Sequence, residues 1–230
     1  RGVFYPPGLR ARDLLPFYAS RFNSVEVNYT FRQHPAERTL EAWRETTGAG
    51  FRFTLKAHQR ITHVLRLAGA EEALGRFLER AARLGDRLGV VLFQCPPSLR
   101  FDRPRLHGFL RLLPPGRRYA FEFRHPSWAE ARPTLVEHGL AWCVADTDDA
   151  PAPDEELPAG PFAYLRLRRT HYDEDALRAW AARMRSALAA GTDVYCYFKH
   201  EEKAAGPALA ERLRALVGSP GATGPEGAAP

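Results

Sequence analysis

Seven short runs of strand-like alternation, most of them followed by a stretch of helical periodicity, fill this chain, and no other feature narrows its fold as much. The strand-like runs occupy residues 24–28, 51–57, 89–95, 118–123, 140–146, 162–168 and 193–199. Helical patterning fills 36–48, 71–89, 102–116, 127–139, 172–191 and 207–217. A β-α-β-α order makes neighbouring strands parallel, because each helix returns the chain to the same edge of the sheet. Doubly wound sheets and (β/α)₈ barrels both satisfy that order. No GxGxxG or GxxxxGK[ST] loop follows any of the strands, so a doubly wound nucleotide-binding sheet lacks its phosphate loop. The expected fold is α/β, a TIM-like (β/α) barrel, with function at the C-terminal ends of its strands.

Strand phase sharpens this. Glu26 and Asn28 share one phase of the first run, against Val25 and Val27. Arg52, Thr54 and Lys56 share a phase of the second, and Gln94 closes a phase begun by Val90 and Leu92. Ala120, Glu122 and Arg124 alternate with Tyr119, Phe121 and Phe123; Asp146 ends the fifth run; Tyr164, Arg166 and Arg168 line the sixth; Tyr195, Tyr197 and Lys199 line the seventh. Successive strand residues point to opposite faces, so we expect the polar phase to converge on the barrel axis while the apolar phase packs under helices. In the stretch YAFEFRHPSW (119–128), Pro126 and the Ser127/Glu130 capping-box pair end the strand and start a helix. His125, Pro126 and Ser127 should then form an exit turn that aims Arg124 at the barrel mouth. Pro133 should make that helix short or restarted.

Charge adds a hint about ligand. The formal net charge of +6 permits an anionic partner. Among 33 Lys plus Arg, only Lys56, Lys199 and Lys203 are lysines, the usage of a GC-rich genome. A lysine kept under that bias marks a position where a compact, titratable ammonium serves better than a guanidinium. Cys95, Cys143 and Cys196 lie in apolar runs without CxxC spacing, as buried reduced thiols of a cytoplasmic protein do. No apolar run of about 18 residues exists, so no membrane partner is expected. Residues 1–217 should form a single domain, and 218–230, rich in Gly, Pro and Ala, a disordered tail.

The segments FNSVEVNYTF, LKAHQRITH, GVVLFQCPPSLRFD, YAFEFRHPSW, AWCVADTDD, FAYLRLR and DVYCYFKHEEKAAGPALAERL occur in that order. The chain thereby resembles the YecE-like proteins, domain-of-unknown-function family 72, over nearly its whole length to about residue 217. The resemblance implies a TIM-like barrel with unsettled activity and a suggested link to nucleic acid. Two features depart from the family pattern. The Gly-x-Ser-Gly-Trp strand that precedes the FYPPGL segment in members is absent, so the barrel should lack its first strand. Arg168-Arg169 stands where many members carry His-Gly, so no role of that histidine is carried over.

The inward set is thus three acids (Glu26, Glu122, Asp146) and five bases (Lys56, Arg124, Arg166, Arg168, Lys199). Unpaired buried charges are costly, so this group is either a self-neutralised plug or a ligand site. Its surplus of bases favours an anionic small molecule or nucleic acid. Glu122, Asp146 and Lys56 are the candidate catalytic groups. Glu26, Asn28, Gln94, Arg124, His125, Trp128, Arg166 and Lys199 are the candidate ligand-binding ones, with Trp128 available to stack on a base or sugar. No cofactor is implied. His58, His63, His125, His171 and His200 lie near strand exits, but no HxH or HExxH spacing appears and no metal site is expected. Two readings stand: a hydrolase or lyase on a phosphorylated or nucleic-acid substrate, and a non-catalytic phosphate or nucleic-acid binding module.

Overall fold

The structure, a computed structural model, describes residues 3–158, 160–198 and 205–218. Seven strands form one sheet: β1 (Ser24–Val27), β2 (Arg52–Lys56), β3 (Leu88–Cys95), β4 (Arg118–Phe123), β5 (Ala141–Asp146), β6 (Phe162–Leu167) and β7 (Asp193–Phe198). They pair in chain order, and every pair is parallel. The helices are α1 (Leu14–Arg21), α2 (Glu37–Thr46), α3 (Glu71–Ala81), α4 (Arg103–Leu110), α5 (Arg132–Glu137), α6 (Glu174–Ala189) and α7 (Ala205–Gly218). The sheet curls into a nearly closed barrel, the fold expected. β1 and β7 are its edges and share no ladder among the described residues. Side chains bridge the interior instead: the Tyr197 and Thr54 hydroxyls lie 2.9 Å apart, and the Tyr164 hydroxyl donates to Glu26 Oε2 at 2.5 Å.

Two layers of core follow from the period-2 alternation. Outward residues such as Phe53, Leu55, Val91, Phe93 and Phe121 pack with Leu74, Phe77 and Phe109 of the helices. Leu165 and Leu167 pack with Leu177, Trp180 and Leu213 on the other side. Inward, Val90, Leu92, Ala120, Cys143, Phe162, Tyr164 and Tyr197 fill the floor of the barrel. This assigns the phase of β5, and it corrects one expectation. Trp142 and Val144 pack in the outer clusters whereas Ala141 and Cys143 pack inside, so Asp146 shares the outward phase. The inward residue at that level is Ala145.

Several boundaries differ from the sequence reading, among them the end of α4 at Leu110 rather than at 116. The segment 71–89 is not one helix: α3 ends at Ala81 and a 3₁₀ stretch follows, with Gly85 at φ 55°, a conformation that favours glycine. The segment after β4 divides into a 3₁₀ turn, Pro126–Ala131, and α5, which restarts with Pro133 as its second residue. Its cap is His125 rather than Ser127, since His125 Nδ1 accepts from the Ser127 N–H at 3.2 Å. Ser127 Oγ instead accepts from Phe101 N–H at 2.9 Å. Helix α1 was not anticipated, because Pro16 disguises it; in the first turn a proline removes no helical hydrogen bond.

Helix α6 begins where Asp173 accepts from the Ala176 N–H at 2.8 Å. Losing such a cap leaves an orphan donor, so Asp173→Ala should lower stability by about 1 kcal/mol. Urea unfolding followed by circular dichroism would read it, as a lowered midpoint at unchanged slope.

Candidate functional site

The C-terminal ends of the strands open into a cavity of about 530 Å³ lined by Glu26, Asn28, Lys56, Gln94, Arg124 and Arg166, with Phe31, His63, Arg168, Tyr197 and Phe198 completing the wall. Strand register brings these together: Gln94 and Glu122 are direct partners across β3 and β4, and Arg166 lies beside Ala145 on one side and Tyr197 on the other. The small side chain of Ala145 leaves room for Arg166 to reach over β5. Its Nη1 donates to Glu122 Oε2 on β4, and its Nη2 to Glu26 Oε1 on β1 at 2.7 Å. One guanidinium therefore ties strands from both sides of the barrel.

Both carboxylates are fully engaged. Glu122 also accepts from Gln94 Nε2 at 2.7 Å and from Arg124 Nε at 3.0 Å. Glu26 also accepts from Asn28 Nδ2 at 2.9 Å and from the Tyr164 hydroxyl. Burial alone would raise the Glu122 carboxyl, but the charges of Arg166 and Arg124 and the hydrogen bonds from Arg166 and Gln94 outweigh it and hold the group down to about 2. A carboxylate so held is a poor proton acceptor at neutral pH. It serves to fix Arg166 and Arg124.

The remaining bases are different. Lys56 and Arg168 form no ion pair among the described residues. The Lys56 ammonium sits 4.0 Å from the centre of the Phe31 ring. Burial first, then the Arg166 and Arg124 charges, bring it down to about 8, against a partial opposing pull from Glu122 and Glu26. Arg168 is lowered by the same combination of burial and Arg166. His63 is lowered by burial and by the charges of Lys56 and Arg124. Lys56, Arg124, Arg166 and Arg168 line the cavity beside Glu26, with Glu122 hydrogen-bonded to two of them: four bases against two acids.

Of the candidate residues, Glu26, Asn28, Lys56, Gln94, Glu122, Arg124 and Arg166 meet at this one site. Asp146, Trp128 and His125 do not. Asp146 is fully buried on the outer side, where it accepts from Arg169 Nε at 2.8 Å, the Tyr172 hydroxyl at 2.9 Å and Ala152 N–H at 2.8 Å. Trp128 is also fully buried, stacked on Phe123 at 3.8 Å. The His125 ring is used by its own turn. Lys199 lies outside the described residues. Phe31 and Phe198 line the mouth without having been singled out in sequence; an aromatic residue four positions past β1 and one at the last position of β7 are the only signal they give. Among the described residues no three His, Cys, Asp or Glu side chains gather as metal ligands would, and no helix is long and apolar enough to cross a membrane.

A second cavity, about 640 Å³, opens at the opposite end, among Arg52, Asp86, Arg117, Arg118, Asp193 and Tyr195. There Arg118 is satisfied by Asp193 at 2.5 Å and by the Tyr195 hydroxyl at 3.0 Å. In parallel barrels this end is the structural one.

Residues 1–229 match the sequence model of a family described as "Protein of unknown function DUF72". A segment of 112 residues, 48% of the chain, is 35% identical to the UPF0759 protein YecE of Escherichia coli K12, covering 41% of that protein. UPF0759 protein YunF of Bacillus subtilis 168 is 28% identical over 155 residues, 62% of the chain and 52% of YunF. The matched part thus spans about half the length of these relatives, or less. Among solved structures, a DUF72 family protein (TM1631) from Thermotoga maritima superposes with TM-score 0.82 at 26% identity, over 95% of this chain and 94% of the other. A DUF72 family protein (EF0366) from Enterococcus faecalis V583 gives TM-score 0.78 at 18% identity, over 90% and 94%.

Proposed function

The chain belongs to the DUF72 family, and from the arrangement at its barrel mouth we propose that it binds an anionic small molecule there, one carrying a phosphate or carboxylate group. The observation that carries this is the charge balance: two acids are consumed by Arg166, Arg124 and neutral donors, while Lys56 and Arg168 face the cavity with no acid partner among the described residues. Arg124 spends only its Nε on Glu122, and its side chain is 44% exposed. Its two outer nitrogens have no partner among the described residues and can meet a ligand in the bidentate manner that suits phosphate and carboxylate. A self-neutralised plug would leave no such surplus. The volume suits a ligand of nucleotide size or smaller, which favours a small molecule over a nucleic-acid strand. The chemistry this site suits is of the hydrolase or lyase kind, with Lys56 rather than Glu122 the group suited to exchange a proton near neutral pH.

Isothermal titration with inorganic phosphate, sulfate and a short single-stranded oligonucleotide, at low and at raised salt, tests this. Saturable binding of the small anions is expected, and Arg168→Ala should weaken it by about 1.5–3 kcal/mol, the worth of a charged hydrogen bond. Binding of the oligonucleotide alone, with a steep salt dependence, would favour the non-catalytic nucleic-acid module instead. No saturable heat with any of the three would reject the anion site.

A further inference from the structure

We propose that Lys56 forms an imine with a small carbonyl compound that also bears an anionic group, the anion held by Arg124 and Arg168. This rests on the anion-site reading above and adds to it a class of substrate and a covalent step.

The placement comes first. Lys56 ends β2 at the C-terminal side of the barrel, on the wall of the mouth cavity, with Arg124, Arg166 and Arg168 on the same wall. The two carboxylates that could have neutralised it, Glu26 and Glu122, are each bound by other donors. Phe31 covers one side of the ammonium. An amine set among cations on a half-buried apolar surface loses its proton more readily than one in water, and this is the environment that activates imine-forming lysines. The downward shift of its titration agrees with the geometry. His63 stands on the same wall, its Nδ1 engaged with Thr62 Oγ1 at 2.8 Å and its titration lowered by burial and by Lys56. Its imidazole is suited to relay the protons of the step. An arginine could hold an anion here equally well, yet a lysine stands at the position in a chain with only three; imine formation needs the lysine.

The step balances without another reactant. The Lys56 Nζ lone pair attacks the carbonyl carbon, the carbonyl oxygen takes up the proton that Nζ gives up, and the resulting hydroxyl leaves as water with a second proton as the C=N bond forms. One water is released per imine, and nothing is oxidised or reduced. The anionic group supplies orientation, since a carbonyl compound without one has no contact with Arg124 or Arg168.

The test is reductive trapping. The folded protein is incubated separately with glyoxylate, dihydroxyacetone phosphate and neutral acetaldehyde, each with cyanoborohydride, and the adducts are mapped by peptide mass. We expect one adduct per chain on the Lys56 peptide, formed at least about tenfold faster with an anionic carbonyl than with acetaldehyde, the factor for one charged contact. The faster of the two anionic probes tells whether carboxylate or phosphate is preferred. Lys56→Arg should abolish the adduct while leaving the circular dichroism spectrum in place. Equal labelling of Lys56, Lys199 and Lys203, or labelling of Lys56 no faster than in urea-unfolded protein, overturns the proposal. If phosphate binds in the titration and Lys56 is not labelled, the imine fails and the anion site stands. If Lys56 is labelled at the same rate by acetaldehyde and phosphate does not bind, the anion reading fails, and with it the substrate class proposed here.

Discussion

Arg166→Met should destabilise the protein by about 3–5 kcal/mol, because it removes one partner from a buried charge cluster. The Arg166 side chain is 5% exposed, and those of Glu26 and Glu122 are 6% and 3% exposed. Methionine fills much of the space but leaves two carboxylates facing each other with only Arg124, Gln94, Asn28 and Tyr164 to satisfy them. Replacing all three charges, with Glu26→Gln and Glu122→Gln added, should recover a large part of the loss, since a neutral cluster carries no desolvation penalty for ions. The pH dependence separates this from simple loss of packing. In the wild type Glu122 is held down to about 2. A carboxylate depressed in the folded state contributes stability that is present above its ordinary value and is lost as pH falls through the folded one. Wild-type stability should therefore hold to about pH 5 and decline toward pH 2. In Arg166→Met the buried Glu122 carboxyl keeps only Arg124 and Gln94 as donors, its folded value rises above the ordinary one, and protonation favours folding. The variant should gain stability as pH falls from 7 to 5, the opposite sign. Urea unfolding at both pH values measures it, and a variant that loses stability on acidification in parallel with wild type would contradict the account.

The strands were legible in the sequence, all seven of them, because barrel strands are covered on both sides and must alternate between two different environments. Val25, Glu26 and Val27 cannot be read any other way once parallel neighbours are assumed. The inward polar set was legible for the same reason wherever a strand carried a clean alternation, as with Thr54 and Lys56 or Glu122 and Arg124. It failed at β5. The run Ala141-Trp142-Cys143-Val144-Ala145-Asp146 is apolar on both phases, so the only polar residue, Asp146, drew the assignment although it belongs to the outer face with Trp142 and Val144. What the axis needed at that level was a small side chain, Ala145, so that Arg166 could pass. Small residues that make room for a large neighbour leave no mark in a polarity pattern. The helix starts were hidden differently. His125 caps its turn through a ring nitrogen, a role that sequence patterns assign to Ser, Thr, Asp or Asn. Nor does sequence rank charges by how fully they are satisfied. Glu122 and Lys56 looked alike as candidate acid–base groups, and only the hydrogen bonds show that one is consumed by the scaffold and the other is not.

Trp128→Ala should also cost about 3–5 kcal/mol, and for a reason unrelated to ligand. The ring is fully buried, lies parallel to Phe123 at 3.8 Å with a 4° tilt, and meets Phe101 edge-on at 5.3 Å. Its Nε1 donates to the Leu99 carbonyl at 2.7 Å, which ties the loop after β3 to the turn after β4. Alanine leaves a cavity under that turn and strands the Leu99 carbonyl without its donor. Trp128→Phe keeps most of the stacking and removes only the hydrogen bond, so about 1 kcal/mol is expected for it. The pair of variants distinguishes the two parts of the loss, read by urea denaturation with circular dichroism. Anion affinity decides between packing and stacking on a ligand: Trp128 does not line the mouth cavity, so Trp128→Phe should leave the phosphate titration unchanged. A loss in the alanine variant below about 1 kcal/mol, or a phosphate affinity that falls in the phenylalanine variant while its stability holds, would mean that the ring works at the site rather than beneath it. The stretch YAFEFRHPSW then divides cleanly between two functions. Arg124 lines the mouth and Glu122 holds it, while Phe123, His125 and Trp128 build the corner that keeps them there.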